Sequence, residues 1–296
     1  MSAYRERVEI GPHVLYLGDC LSIIPTLSNL DGVIADPPYS SGGAFRGDRS
    51  RPTVEKYLSG EWSNAAKLDD FSGDTRDQRG FEYWSALWCG AAREACAPGA
   101  VVAVFSDWRQ LPVSTDYLQS GGWIWRGVVP WSKPSFRPQK GRFGAQCEYL
   151  AWGSNGPMPV EREVGCLPGF FQCMAPQDRE HVTEKPEAIM LEIVPIVVDG
   201  GTILDPFMRS GTTGVACAKL GRRFIGVEIH EPYFRIACRR IADAVAGGVQ
   251  PYLFPADVPS VPPSSSSPVK GPRSGRNGGD GGGLFAECHL KPGVQS

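Results

Sequence analysis

The sequence predicts an α/β fold built on a mostly parallel sheet, and three observations carry that expectation. Short apolar runs of strand length, such as Val33-Ile34-Ala35 and Ala100-Val101-Val102-Ala103-Val104-Phe105, alternate with stretches of helical spacing. Several of the strand-like runs stop at an acid: Asp19, Asp36, Asp205 and Glu228. Residues 202–228 read as a complete strand–turn–helix–strand unit, the connection that parallel neighbours require. With 296 residues, 42% of them hydrophobic and 10% aromatic, the chain can bury one sizeable core. One domain over 1–247 followed by a tail over 248–296 is the expected organisation.

Taken in order, Val14-Leu15-Tyr16-Leu17 reads as the first strand and ends in Gly18-Asp19-Cys20. A short amphipathic helix with Leu21, Ile23, Ile24 and Leu27 leads to a second strand, which stops at Asp36-Pro37-Pro38-Tyr39. Neither proline can donate a ladder hydrogen bond and both restrict φ, so the strand ends in a stiff corner. Open α/β sheets place ligands at the carboxyl ends of their strands. A carboxylate, a rigid carbonyl-bearing backbone and a ring at that corner suit a planar group carrying an NH2. Taken alone, the tetrapeptide is equally compatible with an ordinary surface turn.

The segment 41–80 is polar, glycine- and serine-rich and too long for an idle connection, so it reads as a loop insertion, with Arg46 in its first part. Residues 81–96 read as a helix whose Tyr83, Trp84, Leu87 and Trp88 are expected in the core. After the strand 100–105 come a helix around 111–118, a strand from Trp123 to Trp131 and a closing strand over 148–152. Between the last two, Arg126, Lys133, Arg137, Lys140 and Arg142 stand without an acid and are interleaved with Trp131 and Phe136. Cations that neutralise phosphates, mixed with rings that stack, suit a nucleic-acid edge. Residues 153–180 show little periodicity, and Pro186 opens a helix that includes Ile189, Leu191 and Val194.

The unit 202–228 comes next. Thr202-Ile203-Leu204 is a strand, and Asp205-Pro206-Phe207-Met208-Arg209-Ser210-Gly211-Thr212-Thr213-Gly214 is a turn of small residues opening a helix. Arg223 to Val227 is a strand ending in Glu228, about 20 residues past the turn. This is the logic of a nucleoside site: backbone amides approach the ligand and a carboxylate takes the ribose hydroxyls. It is no ATP loop, because Ser210-Gly211-Thr212 lacks the Gly-Lys-Ser/Thr ending.

A net charge of −2 offers no global nucleic-acid signal, so contact with DNA has to come from a local patch. The nine cysteines form no CxxC pair and match no usual zinc spacing, and no bound metal is expected. No signal-like segment opens the sequence and no apolar run reaches about 18 residues, so a cytoplasmic protein is expected. The serines at 264–267 and the glycines within 278–283 predict a disordered tail.

Together, Asp36-Pro37-Pro38-Tyr39, the segment 181–186 and the turn Asp205-Pro206-Phe207 with Ser210-Gly211-Thr212-Thr213 resemble the S-adenosylmethionine-dependent DNA amino-methyltransferases. Their order along the chain is similar to the permuted β-class, and the resemblance spans about 13–245. It implies a Rossmann-like methyltransferase fold, a mostly parallel seven-stranded sheet with helices on both faces and a circularly permuted motif order. It also implies S-adenosyl-L-methionine as cofactor. Asp205, Pro206, Phe207, Ser210, Gly211, Thr212, Thr213, Thr183 and Lys185, with Asp36, would surround its methionine part, Glu228 its ribose and Asp19 its adenine end. Asp36, Pro37, Pro38 and Tyr39 would be the catalytic group, gripping the exocyclic amine of a base turned out of double-stranded DNA. Asp before Pro-Pro-Tyr points to adenine N6, with cytosine N4 as the alternative; RNA or glutamine as acceptor, and a non-catalytic DNA-binding relative, are the other readings. Methylation at cytosine C5 needs a cysteine nucleophile, normally after a proline, and no cysteine here follows one. The resemblance further implies site-specific action of the restriction-modification kind, a homodimer in many members and a recognition region within 153–180. The pattern usually has glycine where Arg209 stands, and the Arg209 side chain is expected to point outward.

Overall fold

The structure, a computed structural model, describes residues 2–40, 76–134, 140–174 and 184–249. Arg46, Arg137, Thr183, most of the expected loop insertion and nearly all of the expected tail lie outside them. Among the described residues nine strands form one sheet: β1 (Glu6–Ile10), β2 (His13–Leu17), β3 (Leu30–Ala35), β4 (Cys96–Ser106), β5 (Ile124–Ser132), β6 (Cys147–Ser154), β7 (Phe171–Gln172), β8 (Thr202–Asp205) and β9 (Arg223–Glu228). Among the same described residues six α-helices accompany them: α1 (Cys20–Ile23), α2 (Gln78–Ala95), α3 (Leu111–Ser120), α4 (Glu187–Ile193), α5 (Thr212–Lys219) and α6 (Glu231–Ala246).

The strand order is β1-β2-β9-β8-β3-β4-β6-β5-β7. From β2 through β4 every pairing is parallel, so these five strands deliver their carboxyl ends to one edge of the sheet. Asp19, Glu228, Asp205 and Asp36 follow or close four of them and therefore meet there, although Asp36 and Asp205 are far apart in sequence. β6 runs antiparallel between β4 and β5.

The expected seven strands are all present, and two more extend the sheet at its edges. β1 was missed because its Glu-Arg-Val-Glu-Ile alternation buries little, as suits an edge strand. The signal for it was Gly11-Pro12, which turns the chain between Ile10 and His13 in register, with Gly11 at φ 57. β7 spans only two residues, too short to carry a periodic pattern.

Central strands such as β3 and β4 are buried on both faces, which is why they read as continuous apolar runs. On one face α4, α5 and α6 press Ile189, Met190, Val215, Phe234 and Ile241 against Leu15, Ile34, Ile203 and Phe224. On the other, α1, α2 and α3 bring Ile23, Phe81, Trp88, Tyr117 and Leu118 against Val33, Val102, Val104 and Val227. In α2 the buried stripe is Phe81, Ser85, Trp88, Cys89 and Ala92. Tyr83 (69% exposed) and Leu87 (44%) lie one turn apart on the opposite side. They are surface residues, not the core residues expected of them.

The connection from β8 into α5 packs closely against α6. Gly211 caps α5 with φ 82, and a β-carbon there would lie 2.9 Å from Cβ and 3.1 Å from Cα of Ala237 on α6. Neither atom can move without shifting α6. Gly211→Ala is therefore expected to cost roughly 2–4 kcal/mol through combined backbone strain and overpacking, read as a lowered denaturation midpoint.

Candidate active site

Pro37 and Pro38 stop β3 and leave Asp36 buried at its end. Burial alone pushes its carboxyl up, but opposite charges reverse the outcome. Lys185, just before α4, donates from Nζ to Oδ1 at 2.8 Å, and the Arg209 guanidinium lies 3.6 Å from Oδ2. With the Tyr39 hydroxyl donating to Oδ1 at 2.9 Å, these hold Asp36 below the usual carboxylate range. Burial, then the charge of Asp36, pushes the Tyr39 phenol well up, so it remains a donor.

A second acid, Glu148 on β6, continues the network. It ion-pairs with Lys133, lies 3.4 Å from Lys185 Nζ and accepts from the Tyr39 hydroxyl at 3.5 Å. Burial raises its carboxyl and the two lysines lower it further, to a net depression. The Lys185 ammonium also sits 5.2 Å from the centres of the Tyr39 and Phe105 rings. The corner is thus a linear chain of alternating charge: Lys133, Glu148, Lys185, Asp36 and Arg209.

The turn after β8 is laced from three sides. Asp205 accepts the Phe207 amide at 3.0 Å and the Thr213 hydroxyl at 2.7 Å. Met208 N–H bonds Val227 O on β9 at 3.0 Å, and Arg209 N–H bonds Glu228 Oε2 at 2.9 Å. From α6, Arg240 donates to Ser210 O at 3.0 Å and Ser210 Oγ at 2.7 Å while pairing with Glu184 at 2.8 Å. Thr212 reaches the same Glu184 oxygen at 3.4 Å. Arg240 therefore ties the turn to the segment that carries Lys185.

Beside this turn opens a cleft of about 240 Å³ lined by Gly18, Asp19, Trp84, Phe207, Glu228 and Ile229, with Arg76, Pro206, Arg209 and His230 completing its wall. Its chemistry is mixed. Trp84 and Phe207 present rings 5.3 Å apart, and Arg76 stacks on Trp84 at 4.1 Å. Glu228 accepts the amides of Arg209 and His230, and burial still leaves it raised. Asp19 is exposed and caps α1 through Leu21 N–H at 3.1 Å. Apolar rings, a carboxylate already aimed by two amides and a bordering acid fit a nucleoside with free ribose hydroxyls.

The expected residues fall into three groups. Asp36 to Tyr39, Lys185, Asp205 to Phe207, Ser210 to Thr213, Glu228 and Asp19 gather at this one edge. Three of the basic-segment residues do not behave as expected. Trp131 is 2% exposed, edge-on to Phe105, and donates to Cys173 O, so it is core and cannot stack on a base. Lys133 is neutralised by Glu148 inside the acid corner. The register Ala35–Val104–Ala151–Val128 puts Arg126 toward the opposite edge, where it bonds Ser154. Lys140 and Arg142 are exposed, as is Phe143 beside them. Finally, Arg209 points inward, with its side chain only 11% exposed. The field of three buried acids draws it in.

Sequence reasoning missed Glu148 and Arg240, which carry no motif, and gave no role to Glu184, although it lies within the segment 181–186. Trp84 was assigned to the core on helical spacing, and its place on the cleft was not legible from that spacing alone.

This fold and edge define a class: nucleoside-binding α/β enzymes with an acid–proline corner for a planar amine. The DNA methylase family model for N6 and N4 enzymes matches residues 30–239. The chain belongs to that family, the S-adenosylmethionine-dependent DNA amino-methyltransferases. It is 25% identical over 237 residues to the type II methyltransferase M2.DpnII of Streptococcus pneumoniae, covering 72% of this chain and 82% of that protein. Against M2.LlaDCHI of Lactococcus lactis subsp. cremoris it is 24% identical over 245 residues, covering 75% and 85%. Among solved structures, the M1.HpyAVI–SAM complex superposes with a TM-score of 0.55 at 23% identity, covering 77% of this chain and 98% of that one. The cytosine-N4-specific PvuII methyltransferase gives 0.57 at 14% identity, covering 79% and 91%. Both share the fold.

Burial lifts the Asp205 carboxyl from 3.8 to about 7 against the pull of Thr213 and the Phe207 amide. An acid with a raised folded value keeps a proton that the unfolded chain has already released, so its contribution to stability declines as pH rises from about 4 to about 7. Asp205→Asn does not titrate. Its stability relative to the parent protein is expected to improve by on the order of 2 kcal/mol from about pH 5 to about pH 7, then level off. Urea unfolding across that range checks it; a flat difference would mean an unshifted Asp205.

Proposed function

We propose that this chain transfers a methyl group from S-adenosyl-L-methionine to the exocyclic amine of a base flipped out of double-stranded DNA, adenine N6 in preference to cytosine N4. The observation that carries the reading is the meeting of Asp36 and the 205–214 turn at one sheet edge, with Arg209 of the turn 3.6 Å from Asp36. The cleft with Trp84, Phe207, Ile229 and Glu228 supports an adenosine slot: Glu228 for the ribose, Asp19 at the adenine end, and the neighbouring Trp84 and Phe207 rings as its apolar lining. Asp205, Pro206, Phe207, the small residues Ser210, Gly211, Thr212 and Thr213, and Lys185 with Thr183, hold the methionine end. When bound, S-adenosylmethionine supplies a methyl carried on a positively charged sulfur.

The acceptor is a weak nucleophile because its lone pair is delocalised into the ring. Asp36 accepts one N–H and the Pro37 carbonyl the other, which favours a pyramidal nitrogen with its lone pair toward the methyl. Pro38 keeps that carbonyl rigid and Tyr39 stacks on the base. A carboxyl held below its ordinary range is a good hydrogen-bond acceptor and a poor proton acceptor. Asp36 thus orients the amine; as the nitrogen–carbon bond forms the methyl–sulfur bond breaks, leaving a neutral thioether, and the surplus proton passes to solvent. Positioning and charge placement supply the catalysis, with no covalent enzyme intermediate. For the base to enter, Tyr39 must release Asp36 and Glu148. Exposed Lys140 and Arg142, with Phe143, suit contact with the DNA backbone.

The test is transfer of a tritiated methyl group to unmodified plasmid DNA, RNA and protein. Label is expected in DNA, and Asp36→Ala is expected to lower it by more than about a hundredfold. Label confined to RNA or protein overturns the reading. Nucleoside analysis of the product is expected to give N6-methyladenine; N4-methylcytosine moves the assignment to cytosine.

Affinity for the duplex is expected to depend on these exposed cations. Neutralising Lys140 and Arg142 together is expected to weaken DNA binding uniformly across sequences and to reduce the slope of log affinity against log salt by about 2. Fluorescence anisotropy of a labelled duplex at several salt concentrations measures both quantities.

A further inference from the structure

Arg209 stands where the motif pattern has glycine, and its backbone explains that preference: φ is 46, the left-handed region that a side chain tolerates poorly. The turn itself therefore does not call for arginine. The side chain is nevertheless held inside the site. Its guanidinium lies 3.6 Å from Asp36, its amide bonds Glu228, and it lines the cleft together with Phe207 and Glu228. Its charge also pulls down the carboxyls of Asp205 and Glu228, which burial otherwise lifts. A permanent cation thus occupies the space between the nucleoside slot and the amine-gripping corner. Lys185 already supplies one positive charge to Asp36, from the other side.

The reading that follows rests on the proposed function. A donor with a positive sulfur must bring that charge between the same acids, whereas the spent product, S-adenosylhomocysteine, has a neutral sulfur. We propose that Arg209 is a selectivity residue of the donor site: its guanidinium competes with the sulfonium for the acids Asp36, Asp205 and Glu228, and so shifts the binding preference from donor toward spent product. The consequence is a chain restrained by its own product until Arg209 is drawn away from the acids.

Titration calorimetry of the full chain with S-adenosylmethionine and, separately, S-adenosylhomocysteine tests this, using the parent protein, Arg209→Gly and Arg209→Met. Glycine accepts the positive φ without strain, and methionine keeps the bulk while removing the charge. In both variants the dissociation constant of the donor divided by that of the product is expected to fall about tenfold, the scale of one partly screened charge–charge contact. An unchanged or increased ratio overturns the inference while leaving the proposed function standing. A fall in Arg209→Gly alone also overturns it, because crowding and not charge is then responsible. Binding of neither ligand by any of the three proteins overturns the donor reading and this inference together. Thermal melting without ligand is the folding control: Arg209→Gly relieves the positive φ but removes one cation from Asp36, and both variants are expected to melt cooperatively above the assay temperature.

Discussion

The structure depends on one difficult placement: a carboxylate, Asp36, taken out of water at the end of a central strand. An isolated buried charge costs far more than a fold can tolerate, and it survives only when paired and hydrogen-bonded. Here Lys185 and Arg209 supply the charge and Tyr39 a further donor. Each partner comes from a different part of the chain: the segment before α4, the turn after β8 and the corner after β3. Satisfying Asp36 therefore requires the sheet edge to be assembled correctly. Removing one partner leaves an uncompensated charge, which makes this corner sensitive to single substitutions.

The sheet makes that assembly insensitive to chain order. What counts is that β2, β9, β8, β3 and β4 run parallel and end at one edge, whichever of them the chain visits first. Right-handed crossovers through helices on both faces satisfy the same geometry. The cleft lies along the ends of β2, β9 and β8 and Asp36 at the end of β3, so the two are neighbours in space although their residues are distant in sequence.

Around the edge, charges are arranged in alternation. Lys133, Glu148, Lys185, Asp36 and Arg209 form a chain in which each internal member has two opposite neighbours. Arg240 performs a quieter task, joining Ser210 of the turn to Glu184 beside Lys185. It joins the 205–214 turn to the segment that carries Lys185, the residue that pairs with Asp36. Glu148 likewise links β6 to the corner through its pairs with Lys133 and Lys185.

Local pattern was enough to read much of this. The apolar runs of β3 and β4, the proline stop after Asp36, and the small-residue turn followed by Glu228 each obey short-range rules of backbone geometry. Those rules act within a few residues, and so the sequence by itself determined the α/β class, the two motifs and their placement at strand ends. It left β1 and β7 unread, because an edge strand with little to bury carries no apolar signature and a strand of two residues carries no period. The direction of a long charged side chain was equally out of reach. Arg209 turns inward because Asp36, Asp205 and Glu228 converge from three strands, and no local feature of the turn encodes that field. Trp131 reads as a stacking ring among cations until β5 is seen to bury it against Phe105. Only the tertiary structure decided these points, since burial and electrostatics are sums over neighbours that the chain brings together from far apart.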